Sequence, residues 1–144
     1  MSIFPTKVLL ATDGSEEATL AARTAADIAQ KTNSELHVVH VGAFRAMLLA
    51  ATEQEPAQLE EEARHLLHEQ VKLIEAANGN IAQSHLRMGS ADEQIVSLSE
   101  EIGAGLIIMG SRGHGRLRRA LMGSVSDSVV RHAHCPVLVV REER

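Results

Sequence analysis

The chain has 144 residues, the size of a single domain, and can bury about two thirds of its unfolded surface without help from disulfides or metal. Its formal charge of −5 argues against general nucleic-acid affinity and against a basic membrane-surface role, and with no tryptophan or tyrosine and only Phe4 and Phe44 it has no base-stacking platform. One cysteine, Cys135, excludes an internal disulfide and fits a reducing compartment, and no apolar run approaches the roughly 20 residues of a membrane span.

The opening, MSIFPTKVLLATDGS, lacks a positive n-region and an apolar stretch of signal length, so a cytoplasmic domain with no membrane insertion is expected. Residues 7–11, KVLLA, read as a buried strand closed by the turn TDGS. Ser15 caps the next helix, with Glu16 and Glu17 in its first turn near the positive end of the helix dipole. Ala18, Ala21, Ala22, Ala25, Ile28 and Ala29 form its apolar face. Residues 36–41, LHVVHV, are a second buried strand, and 42–57 have no clean period and read as a connection, with Pro56 a break or a helix start.

From Gln58 to Ala77 the helical period returns, with Leu59, Ala63, Leu66, Leu67, Ile74 and Ala77 inward and Gly79 placed to end the helix. Residues 81–87 read as a third strand. Ser90 and Glu93 have capping-box spacing before a helix whose inner stripe is Ile95, Leu98, Ser99 and Ile102, ended by Gly103. LIIM, 106–109, is a fourth strand, followed by a glycine loop, a helix through about Arg131, and PVLVV, 136–140, as a fifth. Strands alternating with helices, the strands mostly continuous apolar runs and 81–87 weakly alternating, predict one α/β domain over 1–144: a doubly wound parallel sheet with helices on both faces.

In such sheets ligands bind beyond the carboxyl ends of the strands where the winding reverses. Two strand ends carry unusual chemistry: Ala11-Thr12-Asp13-Gly14, with a carboxylate, and Met109-Gly110-Ser111-Arg112-Gly113, with backbone N–H groups leading toward a helix. A glycine loop before a helix start suits phosphate, because the backbone comes close and the dipole favours an anion. Ser124 and Ser126 add hydroxyls, and Arg112, His114, Arg116, Arg118 and Arg119 make this the most basic stretch of an acidic chain. Two familiar signatures fail: Gly110 to Gly115 has P-loop glycine spacing but is followed by Arg116-Leu117, and Gly113-x-Gly115-x-x-Arg118 lacks the third glycine of a dinucleotide fingerprint.

The whole spacing, Gly110-x2-Gly113-x9-Gly123-Ser124, together with KVLLATDGSEEA, LIIMGSRG and GSVSDSVVRHAHCPVLVV, resembles the ATP-binding branch of the universal stress protein family along essentially the entire chain. The resemblance implies strand order 3-2-1-4-5 and a homodimer formed partly through 136–140. It implies adenine beside Ala11 and Val41, and Asp13 near the ribose or a metal-bound phosphate, which makes Asp13 the candidate indirect contact of Mg²⁺. It places the phosphates on Gly110, Ser111, Arg112, Gly113 and Gly115, and on Gly123, Ser124 and Val125. Thr12, Met109 and Ser126 complete the candidate binding residues.

The other reactive side chains have plainer readings. Cys135, before Pro136 and a valine run, reads as an inert thiol. His65 and His68 read as a solvated helix face, His37 and His40 fall on opposite faces of a strand, and His132 and His134 suit a helix C-terminus, so no transition-metal site is expected. The leading expectation is an adenine-nucleotide-binding stress-response regulator that binds ATP, and an unidentified protein partner, with no nucleic acid. With no clear general base or second metal-binding carboxylate at the loop, it would hydrolyse ATP slowly at most or phosphorylate itself on Ser124 or Ser126. The alternative is a nucleotide-using transferase of adenylyl-transferase type on a similar fold.

Overall fold

A computed structural model of the chain describes residues 2–43, 56–111 and 123–141. In chain order these form β1 (Lys7–Ala11), α1 (Glu16–Thr32), β2 (Glu35–Ala43), α2 (Pro56–Ala76), β3 (Ile81–Gly89), α3 (Ala91–Ile102), β4 (Ala104–Gly110), α4 (Ser124–His132) and β5 (Val137–Val140). The five strands pair in parallel in the order β3-β2-β1-β4-β5, the doubly wound sheet expected from the sequence. The winding reverses between β1 and β4, which are neighbours in register from Val8 opposite Leu106 to Leu10 opposite Ile108.

Alternation along each strand divides the core in two. Val8, Leu10, Leu36, Val38, Leu106 and Ile108 face the alanine stripe of α1 together with Leu67 and Ile74 of α2. Leu9, Ala11, Val39, Ile107 and Met109 face Ile95 and Leu98 of α3 and Val129 of α4. Both faces of the sheet are covered at its centre, which is why β1 and β4 read as apolar runs, whereas the end strand β3, partly exposed, is mixed. The buried stripe of α1 is made of Ala18, Ala21, Ala22, Ala25 and Ala29, so this helix packs close to the sheet.

The helix ends refine the sequence reading. Ser15 caps α1 as expected, its hydroxyl oxygen accepting the Ala18 N–H at 3.2 Å. Pro56 is the first residue of α2, where its missing N–H costs nothing. Gly79 does not supply the left-handed turn after α2; Asn78 does, at φ 69°. Gly79 instead returns its N–H to the Ile74 carbonyl at 2.9 Å, and a Cβ there would stand 2.5 Å from Ile74 Cγ2. The glycine is thus required by close approach rather than by its own dihedral, and Ala77 falls past the helix end, exposed.

Ser90 is the N-cap of α3, but the capping box does not form. Its hydroxyl donates to Asp92 Oδ1 at 2.6 Å, and Asp92 Oδ2 also accepts from Ser128 Oγ at 2.7 Å. The acid that favours the start of α3 therefore also fastens α4 to it. These two hydroxyls hold the Asp92 carboxyl below the usual carboxylate range. β2 and β3 run further than their apolar cores, because pairing continues from Val41 opposite Arg87 to Ala43 opposite Gly89.

Candidate nucleotide-binding cleft

A cleft of about 410 Å³ opens at the carboxyl ends of β1 and β4, where the strand order reverses. Ala11, Thr12, Asp13, Val41, Met109, Gly110, Ser111, Gly123, Ser124, Val125 and Ser126 all line it. These are all the candidate binding residues that fall among the described ones; Arg112, Gly113 and Gly115, with His114 and the arginines at 116, 118 and 119, lie outside them.

One wall is the β1 turn. Asp13 Oδ1 accepts the Ser15 N–H at 2.9 Å, and Gly14 turns the chain at φ 83°. Among the described lining residues, Asp13 carries the only carboxylate. The opposite wall is built on Ser111, which is buried and fully bonded. Its N–H donates to the Val140 carbonyl at 2.9 Å, and its carbonyl accepts from the Gly123 N–H and from Ser126 Oγ, the latter at 2.8 Å. Its own hydroxyl donates to Glu17 Oε2 at 2.8 Å. Ser111 thereby joins β4, β5, α1 and the start of α4.

The two helix starts at the cleft differ electrically. α1 is capped by Ser15 and carries Glu16 and Glu17 in its first turn, so its positive end is already matched by acids. α4 begins at Gly123 without a side-chain cap; its first-turn acid, Asp127, is paired with Arg131 at 3.1 Å, and Ser124, Val125 and Ser126 border the cleft. First-turn amides of a helix have no intrahelical acceptor, so α4 offers donors to an anion. The two serines also differ. Ser126 is buried and gives its hydroxyl to the Ser111 and Gly123 carbonyls, whereas Ser124 is exposed.

Gly110 is required by packing. A Cβ on it would lie 3.0 Å from the Glu17 backbone carbon and 3.2 Å from the Ala18 nitrogen. The end of β4 and the start of α1 touch backbone to side of backbone, and this contact brings the two cleft walls together.

Seven lining residues escape a sequence reading: Ser15, Ala18, Val39, His40, Leu66, Ala91 and Ile95. Ala91 had an available signal, since the first residue of a helix following a parallel strand lies at the ligand-binding edge. Leu66, in the middle of α2, has none. His40 sits opposite in facing to His37, as the alternation requires, and its Nδ1–H donates to the Thr12 carbonyl at 2.8 Å.

His37 takes part in a separate chain: Glu35 Oε1 accepts from its Nε2 at 3.1 Å, and His85 Nε2 lies 3.2 Å from its Nδ1. His85 is held below its ordinary pKa of 6.5, by burial first and then by nearby His37 and Arg87, against the opposing effect of Glu101. The unfolded chain takes this proton near 6.5 and the folded chain only at lower pH. The contribution to stability is therefore whole above pH 6.5 and is lost as pH falls from there through the folded value. The urea midpoint should drop between about pH 7 and about pH 5, and His85→Gln should flatten that drop; an unchanged slope would contradict it.

Among the described residues no three His, Cys, Asp or Glu side chains are placed to hold a metal ion. His65 and His68 are exposed, and Cys135 is half-buried with its thiol pushed up by burial. No helix among the described residues is long and apolar enough to cross a membrane.

Residues 5–141 match the universal stress protein family. The chain belongs to that family. A universal stress protein of Staphylococcus epidermidis is 36% identical over 141 residues, which cover 94% of this chain and 84% of the relative. Among solved universal-stress-type folds, the hypothetical protein MJ0577 superposes with a TM-score of 0.83 at 27% identity, covering 99% of each chain. Two further structures share the fold: a universal stress protein in complex with cAMP (TM-score 0.73, 23% identity, 96% of this chain and 98% of that one) and one from Archaeoglobus fulgidus in complex with dAMP (TM-score 0.67, 24% identity, 96% and 99%).

Proposed function

We propose that this universal stress protein binds an adenine nucleotide, ATP in the first instance, in the cleft between β1 and β4, and acts as a nucleotide-dependent regulator. The observation that carries the reading is the convergence of Asp13, Gly110-Ser111 and Gly123 to Ser126 on one cavity from three separate places, the turn after β1, the end of β4 and the start of α4. That cavity falls within the size range of small-molecule sites. Its lining mixes an apolar half, Ala11, Val39, Val41, Ile95 and Met109, with a polar half. A base suits the first, and phosphates suit the uncapped start of α4. The cAMP and dAMP complexes of two proteins of this fold support an adenine ligand.

Asp13 Oδ2 is the acceptor for ribose hydroxyls or, through water, for Mg²⁺ on the phosphates. Mg²⁺ would neutralise phosphate charge beside this carboxylate. Ser124 is the exposed hydroxyl at the α4 start, while the Ser126 proton is engaged by two carbonyls. Asp13 and His40, the titratable groups among the described lining residues, are bonded to the Ser15 amide and the Thr12 carbonyl, and neither is hydrogen-bonded to Ser124. On this reading turnover is slow, and Ser124 is the acceptor in any self-phosphorylation. β5, the end strand of the sheet, is the proposed homodimer contact over 136–140, and the location is cytoplasmic.

The test is to incubate the purified protein with ATP and Mg²⁺, follow phosphate release, and map modified residues by mass spectrometry. Slow release with any phosphate on Ser124 supports the reading. Release at ordinary enzyme rates, about 10 s⁻¹, or modification on Ser126 contradicts it.

A further inference from the structure

The β1 turn that bears Asp13 is held from outside the cleft. Thr12 is buried, and every polar group it owns is bonded. Its N–H donates to the Val39 carbonyl at 2.9 Å, and its carbonyl accepts from His40 Nδ1 at 2.8 Å. Its Oγ1 accepts the Gly14 N–H at 3.4 Å and donates to Gln70 Oε1 at 3.1 Å. A threonine hydroxyl has one proton, so with Gly14 as donor to it, Gln70 is where that proton goes. Gln70 stands on α2, 58 residues along the chain from Thr12, and is not among the residues that line the cleft.

We propose that Gln70 is a positioning residue for the Asp13 carboxylate: through Thr12 Oγ1, helix α2 fixes the 12–14 turn and so sets where Asp13 meets a ligand. The chain of contacts is continuous. Gln70 orients the Thr12 hydroxyl, the hydroxyl holds the Gly14 amide, Gly14 sits in the left-handed region at φ 83°, and Ser15 returns its amide to Asp13 Oδ1. Losing Gln70 leaves a buried hydroxyl proton without its acceptor, and the turn relaxes to find another. The docking of α2 and the affinity of the cleft are then coupled, although α2 gives the ligand no contact from Gln70. The effect on affinity rests on the nucleotide reading of the cleft; the effect on the turn does not.

The experiment uses the full chain with Gln70→Leu, which keeps helix propensity and bulk but removes the acceptor, and Gln70→Glu, which keeps an acceptor oxygen. Without ligand, the Gly14 and Ser15 amides should exchange about tenfold faster in Gln70→Leu, Gln70→Glu should restore them, and the Val129 and Ala133 amides should not change. With ATP, Gln70→Leu should weaken binding about tenfold, and should cost nothing further in an Asp13→Ala background. Unchanged exchange at Gly14 and Ser15, a uniform rise across all amides, or additive losses with Asp13→Ala would overturn the proposal. If the wild-type chain binds no ATP while the turn amides respond as expected, the nucleotide reading falls and the positioning role stands.

Discussion

Gly110→Val is expected to destabilise the fold by about 1–3 kcal/mol and to weaken ATP binding at least about tenfold. The cause is steric. A first carbon at this position already stands 3.0 Å from the Glu17 backbone, and valine adds two more. The atoms it meets belong to helix backbone, which has no rotamer to move. The start of α1 must retreat from the end of β4, and the two walls of the cleft separate with it. Gly105 offers a control of a different kind: a Cβ there would meet the Thr6 side chain, at the opposite end of β4 from the cleft. Gly105→Ala should cost stability and leave affinity intact. Urea denaturation and ATP titration of both variants separate the two effects, and equal losses of affinity would contradict the account.

The second large effect is expected at Ser111. Ser111→Ala removes a hydrogen bond to Glu17, an acid only 6% exposed, and taking one donor from a buried carboxyl costs about 1–3 kcal/mol. The backbone bonds of Ser111 to Val140 and Gly123 survive the substitution, so the loss is assigned to the hydroxyl. Ser126→Ala removes instead a hydroxyl bonded to two neutral carbonyls and should cost about 1 kcal/mol. Denaturant midpoints of the two variants test the ranking. A smaller loss at Ser111 than at Ser126 would mean that Glu17 is held chiefly by its other interactions.

The fold was legible because its strongest signals are local. Val8 to Ala11 and Leu106 to Met109 are unbroken apolar runs, and the alanine stripe of α1 has a clear period. Strand limits were not, because β2 and β3 are extended at their ends by pairing with each other at Gly42, Ala43, Met88 and Gly89, residues of little intrinsic strand preference. The turn after α2 was misassigned because an Asn-Gly pair offers two residues able to adopt the left-handed region, and only the contact with Ile74 decides between them. Ser90 is the N-cap that the sequence predicts, but its hydroxyl is turned to donate to Asp92 instead of accepting the Glu93 N–H, and Ser128, 36 residues from Asp92, holds the same carboxylate.

The cleft residues at the two strand ends were legible for the same local reason: TDGS and the spaced glycines break apolar runs where a parallel sheet places its ligands. What could not be read is the support behind them. Gln70 and Leu66 reach the β1 turn or the cleft only through the packing of α2, and His40 meets the Thr12 carbonyl only through the register of β2 on β1, with Ala11 opposite Val39. No spacing in the chain encodes those contacts.

The central claim is an adenine-nucleotide site between β1 and β4, and calorimetric titration of ATP and of UTP into the full chain tests it most directly. One saturable ATP site per chain is expected, with UTP at least about tenfold weaker because the proposed adenine contacts lie on the apolar lining of Ala11, Val39, Val41, Ile95 and Met109. No binding tighter than about 1 mM, or equal binding of ATP and UTP, would contradict it.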